Sequence, residues 1–262
     1  MKKPKILLLD IETKPILAHV WGLWDNNVAL NQIVSDWSIM SWAAKWLDDP
    51  ASALKYEDQR GAKNIEDDSR LLKGIWKLLN QADIVVTHNG KKFDIKKLNA
   101  RFIEHGFRPP GTFKHIDTLE LVKRQFGFSS NKLEFVAKKL GTKRRKKAHK
   151  KYPGHELWVE CLKGNQDAWR EMEVYNRFDV LVLEEVYHKL LPWGTGPGVN
   201  FAVFDPGAVN SCSCGGKVVK DGHAYTATGK FQRYYCGSCG AWSKDNVNLL
   251  DAAQRKKMRR NP

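Results

Sequence analysis

The start of this chain lacks a long hydrophobic run: the apolar stretch at residues 6–9 stops at Asp10. Four residues are too few for the core of a signal peptide or for a membrane span, so export and membrane attachment are not indicated and a cytoplasmic protein is expected. Internal repeats and extended low-complexity segments are also missing, which argues against a stacked-repeat architecture. Cysteine is scarce, and four of the five, Cys212, Cys214, Cys236 and Cys239, fall in the last quarter. In a reducing compartment that distribution speaks against a disulfide frame and for metal ligation. The fifth, Cys161, stands alone beside Leu162 and near Trp158, and reads as a small buried hydrophobe. Acidic charge is in deficit, with 29 Asp and Glu against 44 Lys and Arg, for a net charge of +15. Solubility alone does not need so one-sided a balance. A field of this sign attracts polyanions, of which nucleic acid is the commonest.

What is present fits a globular protein: 42% hydrophobic and 28% charged residues, in a length of 262 that allows one sizeable core with a small second module. Strands are expected at residues 5–10, 19–24, 38–47, 53–56, 83–88 and 114–117, from runs rich in Val, Ile, Leu and Trp. Helices are expected at 65–79, 92–105, 118–125, 132–140 and 166–191, from apolar residues at helical spacing and the stops Gly106, Gly127, Gly141 and Pro192. Several strands first, then helices alternating with strands, predict an α/β chain with a mixed sheet flanked by helices. Gly194-Thr195-Gly196-Pro197-Gly198 and Asp205-Pro206-Gly207 mark a linker. The expected domains are therefore 1–193, a linker at 194–207, a cysteine module at 208–248 and a basic tail at 249–262.

Four carboxylates stand in three separate places. Asp10 and Glu12 lie in Leu8-Leu9-Asp10-Ile11-Glu12-Thr13 at the end of the first strand, where residues two apart share a face. Two acids on one face repel each other, a cost that a cation offsets. Asp94 closes Asn89-Gly90-Lys91-Lys92-Phe93-Asp94, at a helix start just past a strand. Tyr175 and Asp179, in Tyr175-Asn176-Arg177-Phe178-Asp179, share a face of the longest helix. Each pattern alone is common on protein surfaces. Together, and in this order, they suit a site holding two divalent cations about 4 Å apart.

On these residues the chain resembles the DEDD superfamily of 3′–5′ exonucleases, which have a ribonuclease-H-like fold and include the proofreading domains of DNA polymerases. Asp10 and Glu12 match the first motif, Asp94 the second and Asp179 the third; Val174 and Tyr175 make the third motif the tyrosine form. Asp117-Thr118-Leu119 and the segment from Ser130 to Ala137 are similar to exonuclease domains of family B polymerases. The resemblance covers roughly residues 4 to 192 and implies a stand-alone exonuclease of the kind found in bacteriophage genomes, acting in a bacterial or phage-infected cell. It implies that Asp10 is shared by both metals, that Glu12 and Asp179 complete one metal site, and that Asp94 holds the second. Tyr175 would orient the attacking water. Mg²⁺ fits best, with Mn²⁺ as a substitute, and the expected substrate is single-stranded DNA. The rivals are an exoribonuclease, since the same acids cleave RNA, and a non-catalytic nucleic-acid-binding protein on a nuclease fold. The sequence names no polymerase or repair partner.

Cys212-Ser213-Cys214 and Cys236-Gly237-Ser238-Cys239 suit one tetrahedral Zn²⁺ held by four thiolates, in a module that looks like a zinc ribbon. A segment this small buries little surface unaided, so the ion is expected to be structural. Tyr225, Phe231, Tyr234, Tyr235 and Trp242 either stack on bases or form the module's own core. Lys143, Arg144, Arg145, Lys146 and Lys147, extended by Lys150 and Lys151, are expected to grip phosphates, and Asn89 to contact the terminal nucleotide. The Arg/Lys tail is expected to be disordered and to act through charge alone.

Overall fold

The computed structural model describes residues 4–144, 151–193, 204 and 211–258. Outside the described residues lie the expected linker apart from Phe204, together with Arg145, Lys146, Lys147 and Lys150 of the basic run and Arg259 and Arg260 of the tail. The chain forms two compact units, one of residues 5–188 and one of residues 1–4 with 189–262.

The larger unit runs β1 (Ile6–Thr13), β2 (Leu17–Ala18), β3 (Ile33–Ser35), β4 (Ile39–Trp46), β5 (Lys55–Asp58), α1 (Ser69–Leu79), β6 (Ile84–Thr87), α2 (Asp94–Glu104), β7 (Lys114–Asp117), α3 (Thr118–Gln125), α4 (Leu133–Lys139), α5 (Glu156–Leu162) and α6 (Gln166–Leu190). Five strands form one mixed sheet in the order β5-β4-β1-β6-β7. The first three are antiparallel neighbours, while β6 and β7 run parallel to β1. The strand β1 is central and covered on both faces, which is why it opens on an unbroken apolar run rather than an alternating one. Leu7, Leu9 and Ile11 face a core built with Trp42, Leu71, Leu72 and Ile75, and with Leu98 and Phe102 of α2. Five buried apolar side chains hold α1 to that core, each stabilising by roughly 1.5–3 kcal/mol. A separate core joins Met40 to Leu157, Cys161, Trp169 and Met172 of α5 and α6. Asp10 and Glu12, out of phase with Ile11, point to the opposite face from Leu7, Leu9 and Ile11.

Two polar devices lock the frame. Asp68 is fully buried and accepts hydrogen bonds from the Ile39 amide at 2.8 Å and from Arg101 Nε and Nη2 at 2.9 and 2.8 Å, tying the start of α1 to β4 and α2. Lys45, also buried, is neutralised by Glu184 of α6 at 2.6 Å. On α1, Gly74 allows close approach to the sheet, since a Cβ there would meet Glu57 at 2.6 Å and Trp42 at 2.8 Å.

One expected strand is absent. Residues 19–24 form no strand; only Leu17–Ala18 and Ile33–Ser35 pair, as a short ladder at the base of a protruding loop. Both sides of β1 are already taken by β4 and β6, so the segment cannot pair with the strand it follows. Asp25, at φ 51°, turns the chain, and Trp21 and Trp24 are left 100% and 86% exposed. The seven-residue α5 was not expected; burial of Leu157 and Cys161 sustains it.

In the smaller unit β8 (Val218–Thr226), β9 (Gly229–Cys236) and β10 (Trp242–Asn248) form an antiparallel sheet in the order β10-β9-β8. The tail was expected to lack structure, yet Asp251 and Gln254 form a capping box that starts α7 (Ala252–Lys257).

Candidate active site and cysteine cluster

The acidic site begins where β1 outruns its parallel neighbour. Pairing with β6 ends at Leu8 and Val86, while pairing with β4 continues past Asp10 and Glu12. The next N–H needing a partner on the β6 side, that of Ile11, donates to Asp94 Oδ1 at 3.0 Å. This bond brings the first residue of α2 beside the end of β1. It also explains why Asp94 is buried. Burial is the largest influence on its carboxyl, pushing it up to about 7 against the opposing pull of the Ile11 amide, with Asp117 adding to the rise.

The approach to Asp94 is held by Asp117, whose carboxylate accepts the amides of Asn89 at 2.8 Å, Lys91 at 3.0 Å and Leu119 at 3.0 Å. It thus caps α3 and fixes the turn before α2 at once. Asn89 sits in the left-handed region at φ 76°, which asparagine tolerates better than most residues. Beside it Gly90 is needed for space, because a Cβ there would lie 2.3 Å from Thr87 Oγ1.

The third part comes from α6. Asn176 is fully buried; its Nδ2 donates to Asp10 Oδ2 at 2.5 Å, and its Oδ1 accepts from Ser41 Oγ at 3.1 Å. The helix is thereby pinned across β1 and β4, with Tyr175 and Asp179 flanking the pin. Asp179 is buried, and Tyr175 packs edge-on against Trp158 with ring centroids 6.0 Å apart. Burial raises the Tyr175 hydroxyl above its usual range, and the charges of Glu12, Asp179, Asp10 and Glu134 push it further the same way. Tyr175 thus lies within electrostatic reach of the acids on β1 and α6. Sequence reasoning missed Asn176, Glu134 and the bracing role of Asp117. The only available signal was position: Asn176 lies inside the Tyr175–Asp179 motif, and the other two lie in segments already singled out.

The nucleic-acid candidates are less unified. Arg144 is engaged by Glu185 of α6 at 2.9 Å, and the Lys143 amide donates to the same carboxylate at 2.6 Å. The Lys143 side chain is exposed, and Asn89 is half-buried.

The cysteines form the tighter cluster. Ligand atoms of Cys212, Cys214, Cys236 and Cys239 all lie within 4.8 Å of one another. The Cys212–Cys239 and Cys214–Cys236 sulfur distances are both 3.7 Å. Each pair rides on a tight turn: the Gly215 amide donates to the Cys212 carbonyl at 2.8 Å, and the Gly240 amide to that of Cys236 at 2.9 Å. Both glycines have positive φ, at 82° and 77°. Burial alone would raise the Cys236 thiol, but the amides of Cys239 and Ser238, with neighbouring thiols, bring it down to about 7. Among the described residues one other group of three ligand atoms lies as close together, Asp48, Glu184 and His188. The four carboxylates form a more open set than either.

Residues 52–191 match the model of the RNase H superfamily, and the chain belongs to that family. The matched stretch includes Asp94, Tyr175 and Asp179, whereas β1 with Asp10 and Glu12 precedes it. No curated protein sequence matches the chain. Among solved structures, one similar to it is the family B DNA polymerase from the hyperthermophilic archaeon Pyrobaculum calidifontis, at 17% identity and a TM-score of 0.48. That similarity covers 73% of this chain and 26% of the polymerase, so the chain spans about a quarter of the polymerase's length.

Proposed function

We propose that this protein is a metal-dependent 3′–5′ exonuclease that hydrolyses single-stranded DNA from its 3′ end and releases nucleoside 5′-monophosphates. The observation that carries the reading is the gathering of acidic residues at the end of β1, where the Ile11 amide holds Asp94 Oδ1 at 3.0 Å and Asn176 of α6 holds Asp10 Oδ2 at 2.5 Å. Such a concentration of negative charge repels a phosphodiester unless cations intervene. The donors are all hard oxygens, which suits Mg²⁺ or Mn²⁺. Bound there, two such ions would supply positive charge to steady the attacking and leaving oxygens. Asp10, Glu12 and Asp179 would hold one ion, with Asp10 shared, and Asp94 would position the other. Asn176 orients Asp10 through its amide. With an ordinary pKa of about 10 a tyrosine hydroxyl keeps its proton at neutral pH, so Tyr175 serves as a hydrogen-bond partner that aligns the attacking water rather than as a base. The polarity rests on the resemblance of the three motifs to those of 3′–5′ exonucleases, and the DNA preference on the resemblance to polymerase proofreading domains.

The cysteine cluster fits a structural Zn²⁺. Four sulfurs about 2.3 Å from a tetrahedral ion stand about 3.8 Å apart, close to the 3.7 Å between the paired sulfurs. A disulfide would need about 2.05 Å.

A time course on single strands labelled at the 5′ end tests the main reading. With Mg²⁺ the label should appear on a ladder of shortening strands, a 3′ block should stop the reaction, and chelator should abolish it. Mononucleotides released from the 5′ end, or cleavage indifferent to chelator, would overturn the proposal.

A further inference from the structure

Among the described residues, the cluster buried around the four cysteines does not draw on the aromatic side chains of the three-stranded sheet. The buried cluster consists of Cys212, Cys236 and Ala241, with Cys214, Cys239 and Val218 packed on it, and contains no aromatic ring. Of the rings named as candidates for a small core, Tyr225, Tyr235 and Trp242 are exposed, while Phe231 and Tyr234 are half-buried. Cross-strand register places Val219, Tyr235 and Trp242 in one row spanning all three strands. All three are exposed, Trp242 by 52%. Two residues along, Arg233 of β9 pairs with Lys244 of β10 on the same face.

That cationic pair carries the argument. Like charges directly opposite each other across a sheet are destabilising. Both lie over rings: the Arg233 guanidinium is 4.5 Å from the Trp242 centroid, and the Lys244 ammonium is 4.2 Å from that of Phe231. Arg233 is further fixed by its Nε donating to the Asp221 carbonyl at 2.9 Å and by a longer ion pair, 3.6 Å, with the exposed Asp221 carboxylate, whereas Lys244 has only the ring contact among the described residues. The Tyr235 and Trp242 rings, 5.2 Å apart and inclined by 55°, do not close on each other as a stack. Two adjacent cations with exposed aromatic faces beside them match one ligand chemistry, an anion joined to flat apolar rings. Residues 211–258 carry eight Lys and Arg against three Asp, which favours a polyanion over an apolar protein partner.

We propose that this face of the β8–β10 sheet binds single-stranded nucleic acid, with bases on Trp242 and Tyr235 and a phosphate between Arg233 and Lys244. The choice of occupant rests on the nuclease reading, while the site itself rests on the sheet register and ring contacts. A duplex hides its base faces and does not fit.

The test uses the full chain with its zinc and no added Mg²⁺, and follows anisotropy of a labelled oligothymidylate. Trp242→Ala should weaken binding roughly tenfold, the scale of one lost base stack, and Trp242→Phe should restore most of it. Lys244→Ala should make the fall of affinity with salt shallower by about one unit of log–log slope. Unlabelled duplex of equal length should compete poorly. Zinc content and far-ultraviolet circular dichroism confirm that each variant is folded, and Lys244→Ala, on an exposed side chain, covers the case in which Trp242→Ala is not. Unchanged affinity in folded Trp242→Ala with an unchanged salt slope in Lys244→Ala would overturn the site, as would competition by duplex equal to that by single strand. Wild-type protein that binds the strand but never cleaves it with Mg²⁺ sinks the nuclease reading alone; cleavage with unaltered variant binding sinks this site alone.

Discussion

The four cysteines and the four carboxylates are both proposed as metal donors, and they are built in opposite ways. The cysteines sit on two tight turns, with paired sulfurs 3.7 Å apart, close enough to fill every position around one ion. The carboxylates arrive from a strand end, a helix start and a helix side, and they stay more open. A closed set holds an ion for structure. An open one leaves coordination positions for water and substrate, as two-ion hydrolysis requires. The surroundings differ too: backbone amides bring the Cys236 thiol down to about 7, while burial first, and then nearby carboxylates, raise the Tyr175 hydroxyl.

The contrast breaks first at the open site. Asp10→Ala or Asp179→Ala should lower cleavage by roughly 10³-fold or more, corresponding to several kcal/mol of lost charge stabilisation, while strand affinity changes little. Single-turnover digestion with a parallel binding titration measures both; turnover near that of wild type in either variant would remove the carboxylate assignment. Tyr175→Phe should slow the chemical step by roughly 10²-fold, the scale for losing one positioned proton-handling group. An unchanged single-turnover rate would reduce Tyr175 to a packing residue of the Trp158 core. Asn176→Ala should cost about tenfold in activity at fixed Mg²⁺, much of it recovered at higher Mg²⁺, because it frees Asp10 rather than removing it. A loss that no Mg²⁺ concentration repairs would point to collapse of the α6 packing instead.

The smallest effect on cleavage should come from the closed site. Cys236→Ser should release the zinc and weaken strand binding, yet leave the saturated cleavage rate within about twofold, since every proposed catalytic residue lies in the unit of residues 5–188. Zinc analysis and saturation kinetics on one preparation measure the two together. A collapse of the saturated rate would show that the sites are not independent.

The same contrast explains what could be read from the sequence. The cysteine cluster was legible because its members are close in the chain and spacing alone defines a knuckle. Asp10 with Glu12, and Tyr175 with Asp179, were legible as pairs because strand and helix periods put each pair on one face. Asn176 was not, because its partner Asp10 lies 166 residues away and only packing joins them. Residues 19–24 look like a strand because their apolar composition says nothing of whether a sheet edge is free, and β1 offers none. Much of the sheet was foreseen, since β1, β4 and β6 are runs whose burial follows from their apolar composition. Its order was not, because register and crossover are tertiary properties.

The central claim is that Asp10 lies between two ions. Electron paramagnetic resonance of Mn²⁺ bound to the full chain, with a cleavage-resistant phosphorothioate strand, tests it most directly. The account predicts a spin-coupled Mn²⁺ pair, with the ions about 4 Å apart, that is lost in Asp10→Ala while zinc content stays constant. A coupled pair that survives Asp10→Ala, or the absence of any coupled pair in the wild type, would contradict it.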